Sequence, residues 1–264
     1  PSNLDGLLNT AGTWLGALLA WLLQRLGVLE RWSRWRARWV SAQARGPLVL
    51  LMLWPAALLF PAALPFGLGQ VLERLEAAVA QALEDSAFYD WLPQSLPPLE
   101  PLARSTEALC VALGLWLPCL LAYSVVAHRG RRLALALAVF VVGVGVTALS
   151  CALTWGPLHA WVWLGALPVR VGLLAGALLA LLALPLSGRA CAALLLLATV
   201  VHLSLLNQAP TSPYFAHTLQ LWEQGRFLRF YGLSQWLGWL WPYAALAVVL
   251  LRLSHREGQT YNPS

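Results

Sequence analysis

Apolar runs of about 20 residues recur along the chain, and they constrain its fold more than any other feature. A helix needs about 20 apolar residues to cross roughly 30 Å of hydrocarbon. Hydrophobic residues make up 59% of the 264 positions and charged residues only 11%, whereas roughly a quarter of residues are charged in soluble domains. Only helices and closed barrels satisfy their backbone groups in lipid, and the runs are continuous rather than alternating. The sequence therefore predicts an all-α, polytopic transmembrane bundle.

Hydropathy along the chain predicts about seven spans. The second span contains Pro55, Pro61 and Pro65, so we expect it to be kinked or broken. In the fourth, Gly143 and Gly145 predict close packing against a neighbour. The predicted spans are residues 4–26, 47–68, 105–126, 133–153, 169–186, 190–206 and 236–251.

The basic residues predict the orientation of these spans. All 17 of them are arginine, and they cluster at residues 31–38, 129–132 and 252–256. Short loops rich in Arg stay on the cytoplasmic side, so we expect the chain to begin outside and to end inside. With this distribution, the net charge of +6 indicates membrane orientation, and no nucleic-acid partner is predicted.

Two longer loops, residues 69–104 and 207–235, are predicted to lie outside the membrane. The first is acidic, and residues 71–79 carry an apolar stripe typical of an amphipathic helix. Residues 214–229 of the second predict another amphipathic helix, resting on the outer leaflet. In that second helix Glu223, Arg226 and Arg229 are candidates for contacts with lipid headgroups or an anionic substrate, with simple solvation as the alternative.

A polar stripe opens the first span. Asp5 and Asn9 are four residues apart and Gly12 and Gly16 continue the same helix face, while Ser2 precedes them. An acid at membrane depth is costly unless it faces protein or water, and the two glycines predict close approach of another helix. We predict that Ser2, Asp5 and Asn9 form a polar site; the alternative is that Asp5 only caps the helix.

The spacing of these five residues resembles the end of the signature of VanZ-like membrane proteins. That signature continues upstream with a Glu-x-x-Gln pair and an Arg, which have no counterpart in a chain that opens on Pro1. We therefore expect residues 1–28 to be the end of a VanZ-like domain and residues 29–264 to be a C-terminal transmembrane extension.

A second stretch is similar to the C-terminal extension of long VanZ-like proteins. It combines a Ser-Pro-Tyr-Phe sequence with spaced aromatic, Gln and Gly residues. Its members are Ser212, Pro213, Tyr214, Phe215, Thr218, Leu219, Gln220, Trp222, Gln224, Gly225, Phe227, Phe230, Gly232 and Leu233.

The resemblance implies a role at the bacterial cell envelope, in the inner membrane. The namesake of the family is linked to resistance to teicoplanin-type glycopeptides, and the resemblance supplies no molecular mechanism. Membrane lipids, and a lipid-linked or glycopeptide ligand, are the expected partners. A membrane-embedded enzyme acting on lipid-linked envelope precursors and a small-molecule transporter are the alternatives.

The remaining reactive side chains predict no catalytic centre, no metal site and no cofactor. The four cysteines lie in or beside apolar runs without the spacing of a metal site, so we interpret them as core residues. His202 lies inside the sixth span, where a histidine satisfied by the bundle is favoured over a proton carrier. The cysteines are Cys110, Cys119, Cys151 and Cys191.

Overall fold

The computed structural model describes residues 44–60, 62–84, 86, 102–209 and 231–257, together with separate positions between 10 and 27. The chain divides into two compact units, residues 1–42 and 43–264. In the first unit the described positions are helical up to residue 25. In the second, every regular element among the described residues is a helix and none is a strand, which confirms the all-α fold.

Seven α-helices and two short 3-10 helices form the described part of residues 43–264. The 3-10 helices, Pro157–His159 and Val162–Gly165, lie between α4 and α5. The α-helices are α1 (Arg45–Leu58), α2 (Leu72–Leu83), α3 (Arg104–Val125), α4 (Arg129–Trp155), α5 (Leu167–Leu182), α6 (Gly188–Leu206) and α7 (Tyr231–Glu257).

Four of these helices, α3, α4, α6 and α7, are long and apolar enough to cross a membrane. The 3-10 helices and α5 together make a fifth candidate that is bent by 77°. Helix α1 has 14 residues, about 21 Å at 1.5 Å per residue, which is too short to cross the hydrocarbon core by itself. Several apolar helices thus indicate a membrane protein, and the count of seven spans stays a prediction.

The break predicted in the second span lies directly after α1. Helix α1 tolerates Pro55 in its interior but ends at Leu58, and the described residues 59–60 and 62–71 that follow form no regular helix. The amphipathic helix predicted for residues 71–79 is present as α2, whose apolar residues Leu72, Leu75 and Val79 are exposed.

Helix α3 is the centre of the bundle and is almost entirely buried. It packs against α5, where Gly172 removes the side chain that would obstruct the approach. A Cβ atom at Gly172 would lie 2.6 Å from the carbonyl oxygen of Ala108. In α4 the close-packing prediction is right for Gly143 and wrong for Gly145. A Cβ atom added at Gly145 would meet no atom of a neighbouring residue within 4 Å.

Arg132 joins the ends of three helices. Its sequence position in an arginine cluster predicts a side chain at the membrane surface, yet the residue is only 4% exposed. The guanidinium donates to carbonyl oxygens that follow or end α3 and α5, where helix carbonyls lack intrahelical partners and a cation is favoured. Nε bonds the carbonyl of Val126 at 2.7 Å, one terminal nitrogen bonds that of Tyr123 at 2.8 Å, and the other bonds those of Leu184, at 2.9 Å, and Leu186.

Candidate functional site

A partly enclosed cleft lies at the end of the bundle opposite Arg132. It is bounded by the end of α1, the irregular residues after it, the last turns of α4 and the 3-10 helices, and its volume is about 240 Å³. Most of its wall is apolar. The lining residues are Leu58, Phe60, Ala62, Ala63, Leu64, Pro65, Phe66, Thr147, Ser150, Cys151, Thr154, Trp155, His159, Val162 and Trp163.

Phe66 gives this wall its shape. Its φ of +62° is left-handed, a conformation that non-glycine residues rarely adopt, and its side chain is 2% exposed. The ring meets Trp163 edge to face at 6.0 Å. Strained backbone of this kind persists only where surrounding contacts hold it, and it concentrates at functional sites.

Two glycines on neighbouring helices make room for Phe66. A Cβ atom at Gly114 of α3 would lie 2.5 Å from the Phe66 carbonyl oxygen. One at Gly143 of α4 would lie 2.7 Å from the Trp54 ring and 3.1 Å from the Phe66 ring. The strained turn therefore fits into a recess that the sequences of α3 and α4 provide.

The backbone after Phe66 is held by α6 and α7. Pro242 has no amide hydrogen to donate to Gly238, four residues earlier, and the Gly69 amide bonds that carbonyl instead at 2.8 Å. The Tyr243 hydroxyl donates to the Gly69 carbonyl at 3.1 Å. Non-helical backbone at membrane depth is tolerated when protein groups satisfy it in this way.

Asn207, at the end of α6, supplies the N-terminal cap of α2. Its side-chain oxygen accepts hydrogen bonds from the amides of Val71 at 3.2 Å and Leu72 at 3.0 Å. The side-chain amide of Gln70, the residue before Val71, donates a hydrogen bond to the carbonyl of Ala209 at 3.0 Å. The irregular segment is thus fixed at its far end as well as at the cleft.

Four polar side chains follow one face of α4 and line the cleft: Thr147, Ser150, Cys151 and Thr154. Ser150 donates to the carbonyl of Leu59 at 2.8 Å, and Thr154 donates to that of Ser150 at 2.8 Å. The hydroxyl of Thr147 is shielded from water and has no hydrogen-bond partner among the described residues. Cys151 carries a free thiol.

The cleft shows no activated nucleophile. Cys151 and His159 both line it, but no hydrogen bond joins the thiol to the imidazole, the contact by which a base activates a nucleophile. The described residues also contain no group of three or more potential metal ligands.

His202 lies in the bundle core, 1% exposed. The backbones of Leu68 and Cys110 lie beside its ring, yet neither ring nitrogen has a hydrogen-bond partner of proper geometry among the described residues. Its burial agrees with the expected histidine of the bundle core, and its satisfaction by hydrogen bonds stays a prediction. Cys110 is buried like Cys119 and Cys191, which agrees with the predicted core role.

Most of the sequence-predicted site lies outside the described residues. This holds for Ser2, Asp5 and Asn9, and for the loop candidates Glu223, Arg226 and Arg229. Gly12 and Gly16 are described and helical within residues 1–42, and their packing against another helix stays a prediction.

Sequence reasoning missed the cleft, although one signal for it is present. Thr147, Ser150, Cys151 and Thr154 recur at intervals of three and four, the spacing of one helix face, within an otherwise apolar span. The opposite wall carries no such signal, because the conformation of Phe66 depends on glycines in two other helices.

No protein-family model, curated protein or solved structure matches this chain.

Proposed function

We propose that this chain is a VanZ-like protein of the bacterial inner membrane. It crosses the membrane about seven times, with its arginine clusters in the cytoplasm. The proposal is supported by the spacing from Ser2 to Gly16 and by the stretch from Ser212 to Leu233. The apolar character of α3, α4, α6 and α7 fits a multi-pass protein.

The protein acts at the outer face of that membrane, in envelope homeostasis or in resistance to teicoplanin-type glycopeptides. The cleft is the observation that supports this part of the proposal. It lies at the end of the bundle opposite Arg132, the end that the arginine distribution assigns to the outside, and its largely apolar wall suits binding of an amphipathic envelope molecule.

An enzyme acting on lipid-linked precursors is the second candidate. Cys151 and His159 line one cleft, which is the observation that favours it, but a nucleophile needs a base in hydrogen-bond contact. A transporter needs a polar path across the midplane. The most conspicuous buried charge, Arg132, is committed to four carbonyl groups.

Teicoplanin susceptibility of cells that produce the protein tests the envelope role. We expect the parent protein to raise the inhibitory teicoplanin concentration and Asn9→Leu to abolish that rise at equal membrane abundance. Asn9 distinguishes the polar-site interpretation from the helix-cap interpretation, because a helix cap formed by Asp5 does not need Asn9. An Asn9→Leu variant that protects like the parent, combined with reduced abundance of Asp5→Ala, would show that the stripe is structural.

A further inference from the structure

We propose that the cleft between α1, α4 and the 3-10 helices binds a hydrocarbon chain of a membrane lipid, and that Thr147 donates a hydrogen bond to an ester carbonyl of that lipid. The inference stands on the geometry of the cleft and does not depend on the glycopeptide phenotype.

The size and wall of the cleft fit one chain. Its volume of about 240 Å³ lies below the roughly 300–1,000 Å³ of pockets that enclose a whole drug-sized ligand. The wall formed by Leu58, Phe60, Leu64 and Phe66 offers no charge. A cleft of this kind favours an apolar chain over a sugar or a phosphate group.

The mouth of the cleft is apolar and open. Val162 lines the cleft and is 64% exposed, and Leu158, four residues earlier in the chain, is 93% exposed. Trp161, between them, is also exposed, and tryptophan is enriched where a membrane meets water. A lipid chain therefore has a continuous apolar route from the bilayer into the cleft, whereas a soluble polar ligand would have to cross this rim.

Thr147 supplies the polar contact. A threonine in a helix commonly donates to the carbonyl three or four residues earlier. Thr154 donates in this way at 2.8 Å and Thr199 at 2.6 Å, but Thr147 has no partner among the described residues. Rotation between staggered positions about its Cα–Cβ bond redirects the hydroxyl, and an ester carbonyl in the cleft would satisfy it.

Specific contacts hold the wall of the cleft in its conformation. Phe66 holds a left-handed backbone conformation, and the recess that accepts it requires Gly114 and Gly143. Ser150 fixes the Leu59 carbonyl from across the cleft. These three contacts keep the chain from collapsing into the space, so the cleft persists in the folded protein.

Photo-crosslinking tests the proposal. The full chain is placed in vesicles that contain a phosphatidylethanolamine with a diazirine in its acyl chain, and adducts are mapped by mass spectrometry. Lipid-facing Leu137 and Val141 on the same helix serve as the internal reference. We expect adducts at the cleft-lining residues Thr147, Ser150 and Thr154 in addition to those at the reference positions, whereas Leu149 and Leu153, which are exposed on the same helix, count with the reference.

Two variants that fill the cleft, Cys151→Phe and Ala63→Leu, are expected to lose the adducts at Thr147, Ser150 and Thr154 and to keep those at Leu137 and Val141. Gly145→Phe is the matched control, because a Cβ atom at Gly145 meets nothing within 4 Å, and it should keep both sets. Using two filling variants separates blockage of the cleft from misfolding of either one.

Thr147→Val tests the hydrogen bond, since it removes the hydroxyl and keeps the shape. We expect cleft labelling by the ester lipid to weaken about three- to tenfold, the effect of one lost hydrogen bond, and labelling by a plain diazirine-bearing alkane to stay unchanged. Adducts at Leu137 and Val141 without adducts at Thr147, Ser150 and Thr154 would overturn the proposal, and would mean that another part of this chain, or nothing, occupies the cleft. Equal labelling of Thr147→Val and parent by the ester lipid would overturn the role of Thr147.

Discussion

Arg132 shows how a charge can be accommodated inside an apolar bundle without an acid. A guanidinium carries five N–H donors and stays charged. Here its donors meet four backbone carbonyls, and its central carbon, Cζ, lies 5.4 Å from the centre of the Tyr123 ring. Helix ends concentrate partial negative charge on such carbonyls. The residue therefore acts as a cap shared by α3 and α5.

Replacing Arg132 should destabilise the bundle strongly. We expect Arg132→Leu to lower the free energy of unfolding by about 3 kcal/mol or more, because hydrogen bonds to a charged group are worth about 1.5–3 kcal/mol each. Arg132→Lys should lose less than the leucine variant. The thermal unfolding midpoint in detergent measures the effect, and Arg129→Leu, at an exposed position one turn earlier, is the control. If both leucine variants melt alike, the cap does not contribute to stability.

For single residues, the sequence predicted which side chains are unusual, such as an arginine beside a membrane span, but not which groups they contact. An arginine next to His128, Arg129 and Arg131 is typical of a surface cluster, and only the approach of the chain after α5, more than 50 positions away, turns one of them inward. The same is true of Phe66, whose conformation is decided by glycines on other helices.

At the level of elements, the α3–α5 contact depends on small residues. Gly172 and Gly176 are four apart and face Ala108 and Ala112 of α3, the arrangement that lets membrane helices pack by close contact. The spacing of Gly172 and Gly176 is visible in the sequence and could have predicted this contact. Of Gly143 and Gly145, only Gly143 packs closely against other residues.

We expect Gly172→Leu to separate α3 from α5. The added side chain would overlap the carbonyl of Ala108, and overpacking of this kind costs roughly 1–3 kcal/mol. Its unfolding midpoint in detergent should fall, while that of Gly145→Leu should match the parent. A Gly172→Leu protein that melts like Gly145→Leu would contradict the described packing.

Helix α2 should depend on a cap from a distant element. Removing the Asn207 side-chain oxygen leaves the amides of Val71 and Leu72 without their partner, and loss of an N-terminal cap typically costs about 1 kcal/mol. We predict faster hydrogen exchange at residues 71–75 in Asn207→Leu than in the parent. Gln208→Ala, at the exposed neighbouring position, is the control, and equal exchange in the two variants would mean that α2 is held by other contacts.

The helices themselves were largely predictable, and the break between α1 and α2 was predictable only in part. Apolar length alone placed α3, α4 and α6 to within a few residues, since lipid fixes the length of a span. Three prolines indicated a discontinuity, but its conformation is set by Gly238, Tyr243 and Asn207, contacts between residues well over 100 positions apart. No local pattern encodes contacts of that range.

For the whole molecule, we propose a multi-pass protein with its cleft on the outside and its three arginine clusters in the cytoplasm. The cleft and Arg132 lie at opposite ends of α4, so a single orientation of that helix decides both. The arginine clusters predict which orientation it is.

Labelling of single-cysteine variants in intact cells with a membrane-impermeant maleimide tests this claim most directly. In a background in which all four native cysteines, Cys110, Cys119, Cys151 and Cys191, are replaced by serine or alanine, we predict that His159→Cys, at the rim of the cleft, is labelled from outside. Arg129→Cys and Ser41→Cys should be labelled only after the cells are lysed. Labelling of Arg129→Cys or Ser41→Cys in intact cells, with His159→Cys protected, would contradict the account.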